Sequence, residues 1–292
     1  MNVERKWDGK TKGSLWGYRF FVYCIRFFGI YFSYFFCIWV SLYFFLVVRT
    51  KRNALIRFYK HGLGYGNIKA SLITIKAFYR FGQILIDRTA LKTERKRMFS
   101  HSFENEAALV KIFEGGKGGF LFSGHVGNWE NAGSLIGERI TSKINIFMLD
   151  AEVESVKRFL DKNTETAKFN LIPLKEDMSH LVSIHKALQR KELVALHADR
   201  KLEGHKTIRL PFLNGVASFP AGPFIMAHKF KVPVTFVFAV KDKPTHYNLS
   251  ATEPIQDFVS PEEIAKRYVQ RLEEVVKGSP EQWFNFFDFY AD

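Results

Sequence analysis

The feature that most constrains this chain is an uncharged run from Phe27 to Val48, reading FFGIYFSYFFCIWVSLYFFLVV. As one helix, at about 1.5 Å per residue, it would be ~33 Å long, enough to cross the hydrocarbon core of a bilayer. A helix inside a soluble core is seldom apolar on every face over such a length. The run is also too long for a cleaved leader, and no small-residue cleavage site follows it. Arg26 precedes it, and Arg49, Lys51 and Arg52 follow it. Two arrangements fit: a full crossing, or a hydrophobic hairpin lying in the interface without crossing. Lys10, Lys12, Arg19 and Arg26 on one side nearly balance the cluster on the other, so charge leaves the orientation open.

Beyond this run the chain is rich in core-forming residues. Of its 292 residues 47% are apolar and 31 are Phe, which excludes global disorder. Cys24 and Cys37 are the two cysteines, too few for a disulfide scaffold or a Cys-rich zinc site. Lys and Arg total 43 against 29 Asp and Glu, a net charge of +14. Such charge suits nucleic acid, or an anionic membrane with an acidic partner; the apolar run favours the second.

Four stretches follow from composition and periodicity. Residues 1–17 are a polar lead-in, 18–48 a membrane anchor, and 49–94 a helical region that partly faces the membrane. Within the third, an amphipathic helix runs from Ile68 to about Asp87. From about residue 95 short apolar runs alternate with helix-length segments. Strands are expected at Gly119–Ser123, Ile144–Met148, Leu171–Leu174, Leu193–His197, Val232–Val240 and Tyr247–Ala251. Helices are expected after Asn128, from about Glu152, and near His180–Arg190, Gly222–Phe230 and Pro261–Val276. This alternation predicts an α/β fold, a mixed but largely parallel sheet flanked by helices, over residues 95–292.

The stretch richest in chemistry is Phe122-Ser-Gly-His-Val-Gly-Asn-Trp-Glu130, where an apolar strand gives way to a helix. Ligands of open α/β sheets bind outside the carboxyl ends of the strands. On one continuous helix His125 and Glu130 would diverge by about 140°, so they meet only if the histidine sits in the turn before the helix. A histidine held by a carboxylate is the usual general base. There is no GxSxG elbow and no cysteine placed as nucleophile, so direct attack by a bound hydroxyl on an activated acyl group follows. Backbone amides near the turn are the expected oxyanion donors.

The run SGHVGNWE resembles the histidine–four–acidic motif of the glycerolipid acyltransferase superfamily. More narrowly, it resembles that of the lipid A late acyltransferases, which carry Gly-His-x-Gly-Asn-Trp-Glu. The likeness extends to Leu210–Ala227 with Val232-Pro-Val234, to Pro280-Glu-Gln-Trp283, and to the aromatic N-terminus. It implies a glycerolipid acyltransferase-like fold and transfer of a fatty acyl chain from acyl carrier protein to a hydroxyl or amine of a lipid acceptor. By the same resemblance His125 is the catalytic base and Glu130 its partner, both catalytic. Asn128 and Trp129 shape the turn and its mouth, Asp199 matches an acidic position after a later strand, and all three are expected to contact substrate. Arg200, Lys201, His205, Lys206 and Arg209 read as a basic loop between two strands, with Arg200 and Arg209 able to hold an acceptor headgroup. The chain departs from the family where an Arg usually follows the strand after the catalytic helix. Here Asp150 ends that strand, and Lys157 and Arg158 are the nearest basic residues.

These readings imply no cofactor, no metal and no nucleic acid. The partners are acyl carrier protein, a membrane lipid acceptor and the membrane, at the cytoplasmic face of a bacterial inner membrane. Lipid A is the default acceptor; an acyl-amino acid lipid or a polyene pigment lipid is the alternative. A metal-dependent membrane hydrolase using His125, Glu130, His197, Asp199 and His205 is a further alternative. A non-catalytic tethered module would explain the charge but not the His–Glu turn.

Overall fold

The computed structural model describes residues 15–91, 93–128, 142–149, 169–175, 177–257 and 259–290. The uncharged run forms one long helix, and a second apolar helix precedes it. Gly29, at φ 87, separates α1 (Leu15–Phe27) from α2 (Ile30–Val47). The rings of Phe20 and Phe36 lie 4.9 Å apart, and those of Phe21 and Phe36 6.2 Å, so α1 folds back along α2. One stripe of α2 is buried, comprising Ile30, Ser33, Tyr34, Cys37 and Ser41.

After α3 (Arg49–His61) comes α4 (Asn67–Ala90), which receives that stripe. The helices approach closely because residue 82 has no side chain. A Cβ on Gly82 would come within 2.4 Å of Cys37 Sγ.

The α/β unit is a sheet of seven strands flanked by helices. Its strands are β1 (Ser100–Glu104), β2 (Gly119–Ser123), β3 (Ile144–Leu149), β4 (Phe169–Leu174), β5 (Leu193–His197), β8 (Val234–Lys243) and β9 (His246–Ala251). They lie in the order β1-β9-β8-β2-β5-β3-β4, and every neighbouring pair is parallel except β8 with β9. Helices α5 (Glu106–Glu114), α6 (Ser179–Gln189), α7 (Ala221–Phe230) and α8 (Pro261–Gly278) connect or follow the strands. Between β5 and α7 an antiparallel pair, β6 (Thr207–Phe212) and β7 (Gly215–Pro220), stands apart from the main sheet.

The hydrophobic pattern locates the central strands because those are buried on both faces, as every residue of β2 is. It misses β1, whose Ser-His-Ser-Phe-Glu alternates between exposed and half-buried and is held by main-chain pairing with β9. It also misses β6 and β7, so Arg209 stands on a strand opposite Ser218 rather than in a loop. Ser260 caps α8 by accepting from Glu263 N–H, with Pro261 at its start. This sets Tyr268 inward, its hydroxyl donating to the Ser123 carbonyl at 2.8 Å. At the other end of the chain Trp283 is buried between Phe58 and Phe289, with ring centroids 4.7 and 4.5 Å away. The C-terminal segment thereby runs under the ends of β2 and β5.

Candidate active site

Strands β2 and β5 are parallel neighbours, with Ser123 opposite His197. Residues two beyond each strand end therefore meet at the carboxyl edge of the sheet, where His125 Nδ1 lies 2.7 Å from Asp199 Oδ1. The His125 backbone N–H donates to Asp199 Oδ2 at 2.9 Å, and the Trp283 indole N–H donates to the same oxygen at 3.1 Å. Asp199 has no exposed surface. Burial alone would raise its carboxyl, but His125 and then Arg200 hold it well below the usual carboxylate range.

An ionised Asp199 accepts from Nδ1–H, which fixes the tautomer and leaves Nε2 with the lone pair. Whereas Asp199 keeps none of its side-chain surface exposed, the His125 side chain keeps 21%. Beneath it lies His197, its ring 4.3 Å away and inclined by 28°. Desolvation, and then the nearby His125, push the His197 imidazole well below its ordinary pKa. His197 is thus a neutral platform, which spares an imidazolium on His125 a second stacked cation.

Two glycines allow this turn for different reasons. Gly127 has φ 67, and a Cβ there would sit 1.9 Å from the Ala239 carbonyl oxygen. At Gly124 the constraint is proximity, since a Cβ would meet Tyr268 Oη at 3.1 Å and Asp199 Cγ at 3.3 Å. The turn is then pinned by main-chain bonds. Gly127 N–H donates to Gln282 O at 2.9 Å, Asn128 N–H to Ala239 O at 2.8 Å, and Phe284 N–H to His125 O at 3.0 Å. The amides of His125, Gly127 and Asn128 are consequently spent on the protein's own acceptors.

Residues 12–289 match the family of bacterial lipid A biosynthesis acyltransferases. The chain belongs to that family. Membership makes the protein a lipid acyltransferase, and the match spans both the apolar helices and the α/β unit. No curated protein matches the chain.

Several residues of this acyltransferase stand elsewhere than the sequence suggests. Asp199, read as a substrate contact, has no surface to offer a substrate and instead backs His125. Asn128, read the same way, is buried with 2% exposure and faces the sheet, its Nδ2 donating to the Tyr247 hydroxyl at 2.9 Å. Arg200 is half-buried and directs Nε to Asn285 Oδ1 at 3.0 Å and a terminal nitrogen to Phe284 O at 2.8 Å, clamping the C-terminal segment. Arg209 is exposed on β6. Trp129 and Glu130 lie outside the described residues, as do Asp150, Lys157 and Arg158.

The bond from Asn128 leads into a second polar cluster. Tyr247 and Tyr34 both donate to Asp87, and Lys241 Nζ bonds Asp87 and, at 2.9 Å, the Tyr34 hydroxyl. Sequence patterning offers a hint here: Asp87 follows Ile84-Leu-Ile86 on an apolar face, and Lys241 ends the apolar part of β8. Trp283 is the other residue that motif reading left without a chemical role.

His125, His197 and Asp199 also offer ligand atoms within 4.8 Å of one another, a donor set compatible with a metal ion. Asp199 already accepts from His125 and Trp283, an arrangement that orients an imidazole. His205, which the hydrolase alternative also needs, is exposed in the loop before β6.

Proposed function

We propose that the protein moves a fatty acyl chain from acyl carrier protein to a hydroxyl or amine of a membrane lipid. The setting is lipid A and lipopolysaccharide assembly at the cytoplasmic face of a bacterial inner membrane. The observation that carries this reading is His125 bonded through Nδ1 to a fully buried Asp199 while 21% of the His125 side chain stays exposed.

In the reaction, Nε2 takes the acceptor's proton as the acceptor oxygen or nitrogen attacks the thioester carbonyl. Asp199 steadies the imidazolium so formed. The tetrahedral centre collapses with cleavage of the C–S bond. The departing thiolate of the carrier then takes the proton back from His125, and the base is regenerated. No protein nucleophile and no cofactor enter this scheme. The net charge of +14 suits both an acidic carrier protein and an anionic leaflet.

The test is transfer of a labelled acyl chain from acyl carrier protein by the purified, detergent-solubilised protein. His125→Ala is expected to lower turnover by about 10²–10⁴-fold while the variant stays folded. Retained turnover would overturn the mechanism. Lipid mass spectrometry of a deletion strain against its parent names the acceptor. Loss of one acyl chain from lipid A supports this reading, and loss from an amino-acid lipid or a pigment lipid replaces it.

A further inference from the structure

The membrane reading above leaves open how the apolar helices meet the lipid, and the packing of α2 answers it. A helix that crosses a bilayer alone stands clear of its polar domain for most of its length. Here the docked stripe of α2 stays against the rest of the molecule from one end to the other. Near its start the Tyr34 hydroxyl bonds Asp87 of α4 and its oxygen lies 2.8 Å from the carbonyl oxygen of Pro244, in the turn between β8 and β9. Midway Cys37 fills the space over Gly82. Near its end Phe45 meets Phe78 of α4, ring centroids 6.5 Å apart. Thus α2 and α4 run antiparallel, and α4 is itself fixed to the sheet through Asp87 and Lys241.

Both ends of α2 therefore sit beside polar structure. Next to Pro244 lie exposed Asp242 and Lys243, and exposed Arg26 closes α1 at the α1–α2 turn. Were α2 perpendicular to the bilayer, its length of ~27 Å would carry one of its ends, with the protein surface docked beside it, across the hydrocarbon. The opposite stripe points the other way. Phe32, Phe35, Trp39, Tyr43 and Leu46 lie roughly 180° around the helix from the docked residues, and all are exposed. Exposed Arg26 at one end and Arg49 and Lys51 at the other place positive charge where anionic headgroups would be.

We propose that α1 and α2 form a hairpin lying within one leaflet, parallel to the membrane plane, with the Phe32–Trp39–Leu46 stripe immersed and no segment of α2 crossing. The occupant of this apolar face is the anionic lipid leaflet itself. The proposal rests on the membrane reading under "Proposed function".

The test places a spin label at Phe32→Cys, Trp39→Cys or Leu46→Cys, one at a time, in the full chain. The protein is reconstituted in vesicles of phosphatidylethanolamine with a minority of phosphatidylglycerol. Cys24 and Cys37 are buried, and the unsubstituted protein sets their background. Depth is read from the relative collision rates with oxygen and with a water-soluble nickel complex. The proposal expects equal depths for all three labels within about one helical turn (~5 Å), all short of the bilayer centre. A crossing helix would instead separate Phe32 from Leu46 by about 21 Å along the membrane normal, with Trp39 deepest, and that profile overturns the proposal. If all three labels are water-accessible in vesicle-bound and free protein alike, the membrane reading fails as well. Because the three positions are exposed, the variants are expected to melt with the parent.

Discussion

Two buried acids in this molecule each hold a basic partner, and they differ in one respect that decides their use. Asp199 and Asp87 are both without exposed surface. The partner of Asp199, His125, keeps part of its ring open, whereas Lys241, the partner of Asp87, is as closed off as the acid itself. An ion pair with one accessible edge can pass a proton to a ligand; a pair sealed on all sides can only hold elements together. Burial pushes the Asp87 carboxyl up and the Lys241 ammonium down, each opposed by the attraction of the other. The closed pair joins α2, α4, β8 and β9, and through Tyr247 and Asn128 it reaches the turn that carries His125. The same chemistry thus serves as a base in one place and as a bolt in the other.

The sharpest way to break this comparison is Asp199→Asn. It removes the charge that fixes the His125 tautomer, so acyl transfer should fall by about 10²–10⁴-fold in single-turnover assays. Glu130→Gln belongs in the same experiment. While Asp199 occupies Nδ1, a carboxylate at position 130 has access to His125 only through Nε2. A loss with Glu130→Gln as deep as that with Asp199→Asn would assign the partner role to the motif acid after all.

At the closed pair the larger effect should fall on stability. Asp87→Ala leaves a buried ammonium uncompensated and should cost about 3–5 kcal/mol in denaturant unfolding of the solubilised protein. The double variant Asp87→Leu with Lys241→Met should recover most of that loss, because two apolar side chains need no partner. A double variant as unstable as the single would show that the charges themselves are required.

Trp283→Phe is a milder probe of the open pair. It deletes one bond to the ionised Asp199, worth about 1.5–3 kcal/mol for a charged acceptor. It should lower kcat with KM little changed, a split that loosened packing alone would not produce.

The smallest expected effect is a pH slope from His197. Its folded pKa is depressed, so the unfolded chain binds a proton that the native state resists. Stability from this group is therefore level above about pH 6.5 and falls as pH drops below it. The slope is at most about 1.4 kcal/mol per pH unit. His197→Gln should flatten that part of the melting-temperature profile.

Much of this protein was legible from its residues alone. The central strands, the long C-terminal helix and the His125 turn announce themselves through local signals: continuous apolar runs, Ser260-Pro261 before Glu263, and glycines flanking a histidine. Such signals depend on neighbours in the chain, and those neighbours travel with the sequence. The break at Gly29 was harder to read, since a single glycine in an apolar run is compatible with a continuous helix. The edge strand β1 was hidden because its residues alternate between exposed and half-buried and form no continuous apolar run.

What only tertiary structure decided is who stands beside whom. His125 and Asp199 are separated by a long stretch of chain, and they meet because β2 and β5 pair in parallel with Ser123 against His197. Nothing in the sequence fixes that register. The same holds for the spent amides of the turn, which are taken by Ala239 and Gln282 from distant segments. It holds for Lys241 and Asp87 too, each of which looks out of place in its own element until the other is seen. Sequence determined which side chains are capable of the chemistry; the sheet's register determined which of them can perform it together.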